Sequence, residues 1–335
     1  LNSQLLLQTL LLMIVVISLT VVNADDKTTV RVGVLKFGTV NWELDVIREH
    51  GLAEKEGINL EIVPLASKSA THVAIQGGAV DVIVTDWVWV SRQRGEGRDY
   101  TFVPYSTAAG GVMVDPKANI ESLNDLADKR LGVAGGPVDK SWLLLRAYSQ
   151  KSLGKDITKM ANPNFAAPPL LNELALRGEL PAVLNFWHYS ARLQAAGFKS
   201  LLPISEILNA LDIKTPMPLI GWSFHEKWAD ENKQAVEGFL RASQGAKKIL
   251  AESDLEWQRL EAMLKAPDDP TRETLRNAYR KGVPTCFDES VIDAATKMYA
   301  ILAKEGGRDL VGRQMEFSEG TFWKGLKTEP CQNEG

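Results

Sequence analysis

Short apolar runs alternate with longer amphipathic stretches along most of this chain. Arg31 to Leu35 (RVGVL) reads as a buried strand, followed by a loop from Lys36 to Asn41 and a helical stretch from Trp42 to Lys55. A second strand is expected over Asn59 to Leu65. The loop with Ser67, Lys68, Ser69 and Thr71 then opens a helix that runs to Gln76 and stops at Gly77 and Gly78. Val80 to Thr85 makes a third strand. Apolar runs of strand length separated by helical stretches call for a parallel sheet with helices on both faces, because each parallel strand needs a crossover to return the chain.

The pattern recurs about one hundred residues later. Arg31, Val32, Gly33 and Val34 match Arg130, Leu131, Gly132 and Val133. Gly78, Val80 and residues 83 to 87 fall opposite Gly178, Leu180 and residues 183 to 187, at a constant offset of 100. Such a period is too long for a solenoid and fits two similar α/β lobes. Two extended stretches can carry the chain between them: Tyr100 to Val114, with Gly110 and Gly111, and Lys214 to Trp222, where Pro216 and Pro218 hold the backbone extended. The second lobe is then an insertion over 115–214, and the first is built from 25–114 and 215–335. Beyond Ser223 the pattern is helical, over Glu226 to Glu252, Asp254 to Lys265, Pro270 to Lys281 and Asp288 to Glu305, and these helices are expected to cover the first lobe and its hinge.

The first 24 residues carry no charge and are dominated by Leu, Val, Ile and Met, with Val22, Asn23 and Ala24 in the form of a cleavage site. This reads as a signal peptide over 1–24, against the alternative of a membrane anchor. Export suits a disulfide between Cys286 and Cys331, the two cysteines of the chain. The remaining composition is that of a globular protein, and 38 Lys and Arg against 42 Asp and Glu leave no basic surplus for nucleic acid.

Sequence motifs for phosphate loops, dinucleotide binding, zinc proteases and serine hydrolases are missing, and His50, His72, His188 and His225 are scattered, so neither a catalytic residue nor a metal site is assigned. What stands out is the set of loops that an open parallel sheet places at the carboxyl ends of its strands, where ligands bind. They carry Phe37 and Trp42, Asp86 and Trp87, Trp142, Phe186, Trp187 and Tyr189, and Trp222 at the return crossing. Aromatic faces stack on planar ligands or surround a cationic nitrogen, with Asp86 and Asp139 as candidate counter-charges. Lys36, Lys68 and Lys140, with Ser67, Ser69 and Ser141 at helix starts, suit an anion instead. A zwitterion satisfies both sets. Trp87 and Trp187, at equivalent places in the two repeats, are expected to face one another across the cleft.

The segments RVGVL, AIQGGAVDV (Ala74 to Val82), IESLNDLADKRLGVAGG (Ile120 to Gly136) and LALRGELPAVLNF (Leu174 to Phe186) resemble the periplasmic solute-binding proteins of nitrate, sulfonate and taurine ABC importers, a group that also includes thiamine-pyrimidine binders. The resemblance implies a type II-like periplasmic binding protein: two doubly wound lobes joined by a two-segment hinge, closing as a monomer on a small solute. Delivery to a membrane permease with its ATPase follows, without a cofactor. Ligand contacts carried over by position are Thr39, Asn41 and Trp42; Ser67, Lys68 and Ser69; Asp86 and Trp87; Asp139, Lys140 and Trp142; and Asn185, Trp187 and His188. Trp222 joins them from the aromatic set. The density of Trp and the Asp139-Lys140 pair favour an aminosulfonate or a nitrogen heterocycle over bare nitrate. An enzyme related to the pyrimidine-precursor synthases and a ligand-sensing ectodomain are the competing readings.

Overall fold

A computed structural model of the chain describes residues 27–325 and Cys331. The expected signal peptide lies outside the described residues.

In the first lobe β1 (Thr28–Leu35), α1 (Val40–Glu49), α2 (Leu52–Lys55), β2 (Ile58–Leu65), α3 (Lys68–Gln76), β3 (Val82–Thr85), α4 (Trp87–Gly95) and β4 (Tyr100–Ser106) follow in order. The second lobe comprises β5 (Gly111–Val114), β6 (Arg130–Ala134), α5 (Lys140–Leu153), α6 (Ile157–Met160), β7 (Asn162–Ala166), α7 (Pro168–Leu176), β8 (Ala182–Asn185), α8 (Trp187–Ala195), β9 (Lys199–Pro203) and α9 (Ile204–Ala210). The chain then returns through β10 (Ile220–His225), α10 (Glu226–Glu231), α11 (Lys233–Glu252), α12 (Asp254–Arg259), α13 (Glu261–Leu264), α14 (Asp269–Lys281) and α15 (Glu289–Val311).

The two sheets have the same plan, β2-β1-β3-β10-β4 and β7-β6-β8-β5-β9. The expected parallel strands are present, and each sheet also holds one antiparallel member, β10 or β5. Both are the strands that have just crossed between lobes, so they enter their sheet against its direction. Gly111–Val114 pairs with β8 and β9. The boundary read from sequence at 114 therefore moves back, and residues 107–110 form the first crossing.

The repeat has a packing cause. A Cβ on Gly33 would lie 3.0 Å from Cγ2 of Val80, and one on Gly132 would lie 2.9 Å from Cδ1 of Leu180. Val80, leading into β3, packs onto the glycine of β1, and Leu180, leading into β8, packs onto the glycine of β6. Gly78 and Gly178, with φ of 70° and 75°, end the preceding helices in the left-handed conformation that glycine adopts at least cost.

The returning helices do more than cover the first lobe. α15 packs on α4 of the first lobe and on α5 of the second, and one apolar cluster runs through Trp87, Tyr299, Leu143 and Leu145. Arg146 Nη2 meets Glu305 at 3.3 Å on this seam. On the other flank α14 packs along α8. The disulfide joins Cys286 to Cys331, and the Cys331 N–H donates to Asp288 at 2.7 Å.

Candidate functional site

A cavity of about 450 Å3 opens between the lobes at the carboxyl ends of β1 and β3 and the amino ends of α5, α7 and α8. This is where loops of an open α/β sheet gather side chains. Asp86 organises its polar end. As the cap of α4 it accepts through Oδ1 from the Trp89 N–H at 2.9 Å. Its Oδ2 accepts from Lys68 Nζ at 2.5 Å and from Lys140 Nζ at 2.9 Å. Lys68 opens α3 in the first lobe and Lys140 opens α5 in the second, so the carboxylate ties the lobes together.

Burial works against each of these charges, and the outcome depends on the neighbours. It would raise Asp86, yet the ammonium groups of Lys140 and Lys68 hold that carboxyl well below its usual range. Lys68 is raised, since the Asp86 charge outweighs its desolvation. Lys140 is lowered by burial, with the like charge of Lys68 adding to the shift. Burial also pushes Asp139 up. Asp139 caps α5, its Oδ1 accepting from the N–H groups of Ser141 at 2.9 Å and Trp142 at 3.4 Å.

Two histidines border the site as neutral rings. His72 stacks on Trp89 at 4.2 Å and shares a 3.0 Å hydrogen bond with Thr85 Oγ1; burial and the Lys68 charge lower it to about 4. His188 lines the cavity, is lowered to about 3 by burial and the Arg192 charge, and has a buried Nδ1 without a partner among the described residues. An unpaired lone pair is cheaper to bury than an unpaired N–H, which places the proton on Nε2.

Of the ligand contacts read from sequence, Thr39, Lys68, Asp86, Trp87, Asp139, Lys140, Trp187 and His188 line the cavity, as do Phe37, Ser141, Phe186 and Tyr189 of the same loops. The others support its walls. Asn41 donates to the carbonyls of Leu35 and Gly38, both at 2.9 Å, and braces the loop after β1. Ser67 caps α3 by accepting from Ala70 N–H, and Ser69 follows on that helix's first turn without lining the cavity. Trp42 is buried edge-on against Trp187 and Trp257, and Trp142 against Phe165. Asn185 is buried, donating to Asn172 Oδ1 and the Pro168 carbonyl. Trp222 donates to Ser243 Oγ at 3.0 Å in the first-lobe core.

The expected pair of facing tryptophans is not what the rings form. Trp87 is 1% exposed and packs on Tyr299, Phe317 and Phe322, while Trp187 meets Trp42 and Tyr279. Both touch the cavity, but Trp87 does so from within a core. Sequence reasoning missed the contributions of Val40, Leu144, Pro168, Pro169 and Met298 to the lining. The Pro168-Pro169 pair at a helix start was visible in the sequence, whereas Met298 arrives from α15 and no local pattern points to it.

Two doubly wound lobes, each contributing strand ends or helix starts to one cavity, define the architecture of type II-like periplasmic binding proteins. The chain belongs to the NMT1/THI5-like family, whose profile matches residues 46–254, more than half of its length. Solved structures share the fold. The alkanesulfonate-binding protein SsuA from Xanthomonas axonopodis pv. citri, bound to MOPS, is 16% identical with a TM-score of 0.66, covering 88% of this chain and 98% of its own. The periplasmic aliphatic sulphonate binding protein SsuA from Escherichia coli gives 16%, 0.66, 87% and 98%. The periplasmic nitrate-binding protein NrtA from Synechocystis PCC 6803 gives 14%, 0.55, 79% and 75%. No curated protein matches the chain significantly.

Proposed function

We propose that this protein is an extracytoplasmic solute-binding receptor of an ABC importer, not an enzyme. It closes its lobes as a monomer on a small organic solute and presents that solute to a membrane permease with its ATPase. The observation that carries the reading is the Asp86 to Lys140 contact across a cavity lined by both lobes. A ligand there is held from two sides, and closing on it selects its head group and its body together.

The polar groups that remain for a ligand are mostly donors. Asp86 is already engaged by three N–H groups, whereas each lysine ammonium has N–H groups to spare. That arrangement suits an anionic head, with Phe186, Trp187 and Leu144 walling the body. Asp139 Oδ2 accepts no hydrogen bond among the described residues, and an amino group on the solute could use it. An aminosulfonate fits both ends better than bare nitrate, and the sulfonate-binding structural relatives agree with that class. The nitrogen-heterocycle reading keeps Asp139 but loses Asp86, the other of its two candidate counter-charges, which the lysines already engage.

Native mass spectrometry of the exported protein, with thermal unfolding in the presence of taurine, ethanesulfonate, MOPS, nitrate and an aminopyrimidine, tests this. Sulfonates should stabilise the fold, by roughly 2.7 kcal/mol at 100 times the dissociation constant, and small-angle scattering should show compaction. Stabilisation by the aminopyrimidine alone would reassign the solute, and tight binding at an unchanged radius would reject closure.

A further inference from the structure

A second cavity, of about 540 Å3, lies against the same hinge. Ala108 to Gly110 of the first crossing, Leu219 of the second and the Trp187 indole line both it and the ligand cleft, so this partition separates one cavity from the other. The hinge-side walls come from both lobes: α8, β9 and α9 of the second, and the end of α14 in the first. That end is fastened to the crossing, since the Gly282 carbonyl accepts from Thr107 N–H at 2.9 Å and from Ser106 Oγ at 3.2 Å.

The lining has a definite chemistry. Gln194, Ser200, Ser205 and Asn209 make no side-chain hydrogen bond among the described residues. Lys214, on the second crossing, and Lys281, at the end of α14, are exposed members of the lining, and neither forms an ion pair among the described residues. Asp212, two residues before Lys214, is held by Lys151 at 2.5 Å. The floor is apolar, with Met113, Met217 and Leu208. Two cations, a fringe of donors and an apolar floor suit a compact molecule with at least two carboxylates.

We propose that this hinge-side cavity is a second, regulatory binding site for a small organic polycarboxylate. Lobes that pivot about two crossings narrow the groove on one side of the hinge as they widen the groove on the other. The cavity has this volume in the arrangement where Lys140 reaches Asp86. An occupant therefore resists reopening of the cleft and, by linkage, raises the affinity for the cleft solute. The inference rests on the lobe closure proposed above, but not on the identity of the solute.

Calorimetry and small-angle scattering with citrate as the probe test it, on the wild-type protein, on Lys214→Ala/Lys281→Ala and on Lys68→Ala/Lys140→Ala. Citrate should bind the wild type once and compact it, the hinge pair should weaken binding at least tenfold, and the cleft pair, which loosens closure but leaves the hinge cavity's lining intact, should weaken it several-fold less than the hinge pair does. Asn209→Trp, which fills part of the cavity and keeps both lysines, should lower the radius without any ligand. Lack of citrate binding at millimolar concentration overturns the proposal, as does binding without compaction. Loss of binding in the cleft pair instead puts citrate in the cleft and also overturns it, leaving the receptor reading intact. If sulfonates fail to bind while citrate behaves as described, it is the choice of cleft solute that falls.

Discussion

Lys140, the first residue of a helix in the second lobe, places its ammonium 2.9 Å from Asp86, the cap of a helix in the first. Lys68 meets the same oxygen from the first lobe, so removing the carboxylate strands two cations together. A fully buried pair broken on one side costs about 3 to 5 kcal/mol, but Lys68 is half-exposed and Lys140 a quarter exposed. Asp86→Asn should therefore cost about 1 to 3 kcal/mol in urea unfolding, and Lys140→Met less, since it leaves Asp86 paired with Lys68. The reverse order would show that the clasp is not centred on Asp86.

His72 and His188, lowered to about 4 and about 3, are neutral in the folded protein where a free histidine with a pKa of 6.5 is already protonated. The unfolded chain then binds more protons below pH 6.5, and stability falls as the pH drops toward about 4. Asp86, depressed from 3.8, extends the loss at still lower pH, because its contribution is present above that value and disappears as the carboxyl protonates. Each histidine contributes a slope of roughly 1.4 kcal/mol per pH unit within its window. Unfolding free energies between about pH 7 and 5 should flatten in His188→Gln, and an unchanged slope in His72→Gln/His188→Gln would refute the assignment.

The Cys286–Cys331 bridge closes a loop of 45 residues in sequence separation. On the chain-entropy account it stabilises the fold by roughly 4 kcal/mol, less any strain. Thiol labelling of denatured, unreduced protein should find no free cysteine, and Cys286→Ala/Cys331→Ala should unfold at markedly lower urea. A midpoint unmoved by the double substitution would mean that the tail is held by other contacts.

Gly33→Ala and Gly132→Ala should each cost about 1 to 3 kcal/mol by overpacking, the second slightly more because Leu171 also lies 3.0 Å from the added carbon. Val80→Ala should rescue the first and not the second. These glycines show why the two-lobed plan was legible: a strand glycine, a helix stop and a covering apolar residue are local features, and they repeat at a fixed offset. Ser67 was legible at a helix start for the same reason, whereas Asp86 and Asp139, read as counter-charges, turn out to cap helices. The end of the first crossing was not, because an extended run reads alike on either side of a hinge. Nor was the engagement of Asp86, whose partner Lys140 lies 54 residues away on the other lobe.

Trp87 and Trp187 hold equivalent places in the repeat, yet their surroundings assign them different work. Tyr299, Phe317 and Phe322, the rings around Trp87, come from more than two hundred residues along the chain, which is why its burial could not be read locally. Trp187 is only partly buried, and it borders both the cleft and the hinge-side cavity. Trp87→Ala removes a core side chain and should cost about 3 to 5 kcal/mol of stability. Trp187→Ala should leave a folded protein whose affinity for a sulfonate drops about tenfold, the loss of one aromatic contact of about 1 to 2 kcal/mol. Calorimetric titration of both variants, with circular dichroism to verify folding, separates the two roles. Equal loss of affinity in two folded variants would restore the symmetric aromatic clamp, and unfolding of Trp187→Ala would make that residue an interlobe packing element instead.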